Sequence, residues 1–92
     1  MQHIIAAVVE AIANLEMRSA PKTYLFGSAL SRTSVWSDID ILIVCELESD
    51  GQVIRSALKE IISHYPIDLI IMTHEEEREF KFIESEGCRL IS

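Results

Sequence analysis

Asp38, Asp40 and Asp68, together with the adjacent pair Gly27-Ser28, are the residues whose types and spacing could do chemistry. Asp38 and Asp40 flank one isoleucine at the head of the run SDIDILIV. In an extended strand such residues share a face, about 7 Å apart along the chain. Asp68 stands one residue into a second apolar run, IDLIIM. If the two runs are parallel neighbours, Asp68 arrives beside the first two acids, because facing side chains on adjacent strands come within about 5 Å. Three crowded carboxylates repel one another, and divalent cations relieve that repulsion. Carboxylate oxygens are the hard ligands that Mg²⁺ takes, usually with substrate phosphates completing its shell. Gly27 allows close backbone approach to a phosphate, and Ser28 offers an amide and a hydroxyl as donors. The chemistry expected of this set is the joint binding of metal ions and a polyphosphate.

Each feature alone has a plain structural explanation. An Asp before an apolar strand often closes a turn, and Gly-Ser after a strand often is one. The third acid at the matching edge of a later strand is what favours a site.

The surrounding elements must bring these residues together. The spacing predicts a helix over Gln2–Met17, with Ile5, Val8, Ile12 and Leu15 on one stripe and Ile4, Val9 and Ala11 widening it. Pro21 then disfavours helix at Ala20. Lys22–Phe26 reads as a short strand, broken by Gly27-Ser28, and Ala29–Ser37 as a polar, irregular loop. Asp38–Cys45 is apolar on both faces beyond its acids, the pattern of a buried central strand. ELESDG reads as a turn, and Gln52–His64 as a second amphipathic helix turning Val53, Ile54, Ala57, Leu58, Ile61 and Ile62 inward. Ile67–Met72 is a third strand. Thr73-x-x-Glu76 is a capping box that opens a last helix, with Gly87 as its stop. CRLIS reads either as a further short strand or as a trailing end.

A helix joining the second and third strands implies a parallel, right-handed crossover. The shorter link between the first and second strands favours antiparallel pairing, which puts Gly27-Ser28 at the same edge as the acids. The expected fold is α/β (α+β): a small mixed three-stranded sheet flanked by helices, as one domain over residues 1–92.

Bulk properties bound the function. The chain has 92 residues, 49% of them hydrophobic, with a net charge of −7. It should fold as one small domain, with some apolar surface left for association. The acidic balance opposes docking on nucleic acid or anionic membranes and suits a basic protein partner. No run of about 18 apolar residues suggests a membrane span. The N-terminus does not read as a secretory signal. Cys45 and Cys88 fit no metal spacing and read as reduced thiols, so a cytoplasmic location is expected.

The segments FGS, SDIDILIV and IDLIIM together resemble the polymerase-beta-like nucleotidyltransferase superfamily, and more narrowly its minimal nucleotidyltransferase members. The resemblance spans essentially the whole chain. It implies that Asp38 and Asp40 are metal-binding carboxylates. It makes Asp68 the third, which also helps to activate the attacking hydroxyl. Gly27 and Ser28, with Arg32 and Ser37, would contact the nucleotide. The implied activity is Mg²⁺-dependent attack of an acceptor hydroxyl on the α-phosphorus of a nucleoside triphosphate, ATP foremost, with two ions taking part. Little chain follows Asp68, so the acceptor is expected on another protein. For minimal members that partner is often a helical HEPN-type toxin, whose tyrosine is adenylylated in some pairs. The alternative is an antitoxin or nucleotide-binding module that acts by binding alone.

The loop ALSRTSVW departs from the family pattern, lacking a glycine and carrying a single basic residue, Arg32. Arg32 reads as a triphosphate clamp or as a solvated loop residue. Trp36 reads as a loop anchor in the core or as a stacking surface. His3, His64 and His74 share no ligand spacing and read as surface or capping residues. HEEERE suits a solvated helix start, where negative charge is favoured, or a docking face for a basic partner. Phe80 and Phe82 are expected in the core and at its rim.

Overall fold

The computed structural model describes residues 2–27 and 39–92. Its elements run α1 (Gln2–Ala13), β1 (Lys22–Phe26), β2 (Ile39–Cys45), α2 (Glu48–His64), β3 (Ile67–Thr73), α3 (His74–Phe80), α4 (Phe82–Glu86) and β4 (Arg89–Leu90). They form a small mixed α+β domain around a four-stranded sheet of order β3-β2-β1-β4. β1 pairs antiparallel with β2 and with β4, and β2 pairs parallel with β3. The expected pairings of the first three strands are therefore present. The C-terminal segment resolves as a fourth strand: Thr23 N–H donates to Ser92 O at 2.8 Å, and Ile91 N–H to Thr23 O at 2.8 Å.

β2 is central because both its faces can be covered. Ile39, Ile41, Ile43 and Cys45 join Leu25, Ile4, Val8, Ile12, Ile54 and Leu58 in one buried cluster beneath α1 and α2. Leu42 and Val44 face the other way, with Phe26, and are covered by Phe82, Ile83 and Cys88 from the α4 side. Strand alternation thus splits one run of sequence between two cores.

Some boundaries differ from the sequence reading. α1 ends at Ala13 instead of Met17, because its last turn tightens: Asn14 N–H donates to Glu10 O, and Leu15 N–H to Ile12 O at 3.1 Å. Leu15 and Met17 still pack on the core, which is why the apolar stripe outruns the helix. ELESDG is no turn beyond Leu47. α2 starts at Glu48, where the Asp50 carboxylate reaches back to accept from Leu47 N–H at 3.0 Å. Val53 is 49% exposed and lies outside the buried stripe of Ile54 and Leu58.

The Thr73 box forms as expected. Thr73 Oγ1 accepts from Glu76 N–H at 3.1 Å, and Glu76 Oε1 accepts from Thr73 N–H at 3.0 Å. The last helix, however, breaks at Lys81, which takes φ 52° and separates α3 from α4 before Gly87 ends the pair. The break resets the helical phase. Phe82 turns half-buried onto Phe26, while Phe80 is left 64% exposed, against the expectation that both serve the core or its rim. Among the described residues, no helix is long and apolar enough to cross a membrane.

Candidate functional site

The candidate site is a row of side chains across three strands. Phe26, the last residue of β1, is the register partner of Asp40 on β2, and Asp40 is the register partner of Asp68 on β3. Register partners share a sheet face. All three therefore point to the face that carries Leu42, Val44 and Phe82. Asp40 is half-buried and Asp68 exposed, so the row opens outward from the centre of the sheet.

Local sequence explains each position. Tyr65 ends α2 in extended conformation, Ile67 N–H closes a tight turn over Pro66 by donating to Tyr65 O at 2.9 Å, and Ile39 N–H donates to Pro66 O at 2.8 Å. That bond starts the parallel ladder and sets Ile39 opposite Ile67. One residue further along, both strands carry aspartate. Phe26 is held edge-on against Phe82, ring centroids 5.0 Å apart and planes at 89°, which anchors the end of β1. α4 is positioned in turn by Glu77, whose Oε2 accepts from Ile83 N–H at 2.9 Å.

Gly27 follows Phe26 with φ 56°, in the left-handed region that favours glycine. A Cβ built there would run into the Asp40 carboxylate oxygen and lie 3.2 Å from its Cγ. Gly27 therefore leaves the space that the Asp40 carboxylate occupies. Sequence reasoning gave Gly27 only a phosphate-facing role. It also passed over Phe26, whose signal is its i, i+2 spacing from Tyr24 on the same strand.

Asp40, Asp68 and Gly27 are thus brought to one corner of the sheet. Asp38, Ser28, Arg32 and Ser37 lie outside the described residues, as does Trp36. Among the described residues, no three His, Cys, Asp or Glu side chains form a metal-binding group. Two hard carboxylates side by side beneath a glycine nevertheless suit a divalent cation, and Asp38, two residues before Asp40, is the sequence's candidate for a third ligand.

The thiols stand apart from this corner. Burial pushes the Cys45 thiol up from 9.0, with the Asp50 and Glu76 charges adding to the effect. Burial pushes Cys88 up as well, with Glu86 and Glu77 adding. Tyr24 is raised by burial first and then by Glu77 and Cys88. Neither thiol is poised as a nucleophile. At the opposite, carboxyl end of the parallel pair lies a cleft of about 260 Å³, lined by Cys45, Glu48, Arg55, Met72, Thr73 and Glu76 among others. Of the described candidate residues of the metal and nucleotide site, Gly27, Asp40 and Asp68, it contains none.

No family model, curated protein or solved structure matches the chain.

Proposed function

We propose that this chain is a metal-dependent nucleotidyltransferase of the polymerase-beta-like superfamily, moving a nucleoside monophosphate from a triphosphate to a hydroxyl. The observation that carries the reading is the side-by-side register of Asp40 and Asp68 at the leading ends of parallel β2 and β3, with Gly27 closing over Asp40. Asp40 and Asp68, with Asp38, are the residues that would hold Mg²⁺. When bound, the ions neutralise phosphate charge and favour the attacking oxygen's anionic form.

The chain's own groups would position the substrates. Gly27 and Ser28 would bring backbone amides to the phosphates, and Arg32 and Ser37 would be further contacts. Asp68, exposed at the outer end of the row, would accept the acceptor's proton. A bond forms between the acceptor oxygen and the α-phosphorus, the bond from that phosphorus to the bridging oxygen breaks, and pyrophosphate leaves. ATP is the donor we favour. The acceptor would be a side-chain hydroxyl on a helical, HEPN-type protein, and the −7 charge suits a basic partner.

The test uses α-labelled ATP, Mg²⁺ and such a partner. Label should move to the partner only with metal present, and Asp40→Asn and Asp68→Asn should abolish transfer. Transfer that survives both substitutions would exclude the mechanism. Neutralisation of the partner that survives them would favour action by binding alone. That second reading draws on Phe80 and Leu47, 64% and 57% exposed near the glutamates of α3.

A further inference from the structure

β3 is an edge strand. Protein sheet edges are usually blunted by short length, by charged side chains or proline, by a bulge, or by a covering element. β3 carries a single charge, Asp68 near its start; it is otherwise seven residues long, reads IDLIIMT, and pairs with β2 without interruption from Ile67 to Thr73. Ile39 N–H takes the Pro66 carbonyl, so ladder alternation turns the backbones of Asp68, Ile70 and Met72 toward β2 and those of Ile67, Leu69, Ile71 and Thr73 outward. The outer donors at the two ends are occupied locally: Ile67 N–H binds Tyr65 O at 2.9 Å, and Thr73 N–H binds Glu76 Oε1 at 3.0 Å. Leu69 and Ile71 remain, and no strand among the described residues lies beside them.

We propose that this edge is closed by β3 of a second copy of the chain, antiparallel, about a two-fold axis through Ile70. In that register Leu69 and Ile71 of the second copy exchange both of their backbone hydrogen bonds with each other's outward groups. Asp68, the one charged residue of the strand, falls opposite Met72 of the second copy and away from its own symmetry mate. The two four-stranded sheets become one continuous sheet.

The helix above the edge points to the same occupant. Glu48, Gln52, Arg55 and Lys59 are exposed and recur at helical spacing along one side of α2. Gln52, Arg55 and Lys59 also line a groove of about 610 Å³ on this flank. The side of α2 next to β3 is fixed by Gly51, where a Cβ would stand 3.3 Å from Ile71 Cγ2. From Ile71 to the axis at Ile70 is about 3.3 Å, or about two helical residues at 1.5 Å each. α2 runs opposite to β3, so the axis crosses it near Val53. Glu48 and Lys59 then lie about equally far on either side of it. The stripe is self-complementary: Glu48 meets Lys59 of the second copy, Gln52 meets its Arg55, and both pairs recur by symmetry. A foreign strand would satisfy the same backbone but has no reason to match this pattern.

The test is sedimentation of the full chain at micromolar concentration in 0.15 M salt, where the Debye length is about 8 Å. The wild type should sediment at twice the chain mass of 10.4 kDa. Lys59→Glu should weaken the dimer by on the order of tenfold, and Glu48→Lys combined with Lys59→Glu should restore it. In the dimer, the Leu69 and Ile71 amides should be protected from hydrogen exchange. A wild-type monomer would overturn the proposal. So would a dimer indifferent to Lys59→Glu, a charge swap that fails to rescue while both variants keep the wild-type melting temperature, or fast exchange at Leu69 and Ile71 within the dimer.

Discussion

Asp40 and Asp68 stand directly beside each other on neighbouring parallel strands, as register partners one residue inside each strand. Like charges facing each other across a ladder destabilise it. The proposed metal site would relieve that repulsion.

Asp68→Asn should therefore separate stability from activity. The melting temperature should hold or rise slightly as the facing charge is removed. Transfer of labelled nucleotide should fall by about 10²-fold or more, the scale of a lost acid–base or metal-binding group. Asp40→Asn should lose transfer equally. Thermal melts and transfer assays on the same preparations check both outcomes.

Gly27→Ala should harm stability and activity together. The left-handed backbone costs an alanine roughly 1–2 kcal/mol, and the new methyl must displace the Asp40 carboxylate. A lower melting temperature with little remaining transfer is expected. Unaltered transfer would mean that the Asp40 position does not matter.

Thr23 is fully buried, and its Oγ1 has no hydrogen-bond partner among the described residues. Thr23→Val keeps the shape and removes the stranded hydroxyl. It should stabilise the fold by about 1 kcal/mol, read from the denaturation midpoint.

Alkaline conditions should weaken the fold. Cys45 and Cys88 are raised above 9.0 and Tyr24 above 10.0. Their neutral forms are favoured in the folded state, so the unfolded chain ionises first as pH rises. The stability they contribute is fully present below pH 9 and is lost as pH climbs through their folded values. Denaturation midpoints measured between pH 7 and 11 should fall above about 9, and Cys45→Ala should flatten part of that fall.

Much of this organisation was legible in the sequence because it rests on local patterns. Two-sided apolarity marked β2 as central, a helical connection fixed β2 and β3 as parallel, and Thr73-x-x-Glu76 announced α3. The corner formed by Asp40, Asp68 and Gly27 followed from those pairings. What the pattern missed depended on single contacts. The Asp50 carboxylate converts an apparent turn into the start of α2, and the left-handed Lys81 splits the last helix and turns Phe80 outward. β4 is two residues long and exists through its pairing with β1, which is why the sequence left CRLIS open between a short strand and a trailing end.

The division of β2 between two cores carries an implication for how the gene tolerates change. Ile39, Ile41, Ile43 and Cys45 serve only the helix-covered side, whereas Asp40 opens the row that continues through Leu42 and Val44. Damage along this one strand should therefore divide by position. Substitutions at 39, 41, 43 and 45, and equally at 42 and 44 on the other side, would deplete the amount of protein in the cell. Position 40, half-buried at the head of the strand, is the one where a loss of the proposed activity can outrun a loss of protein.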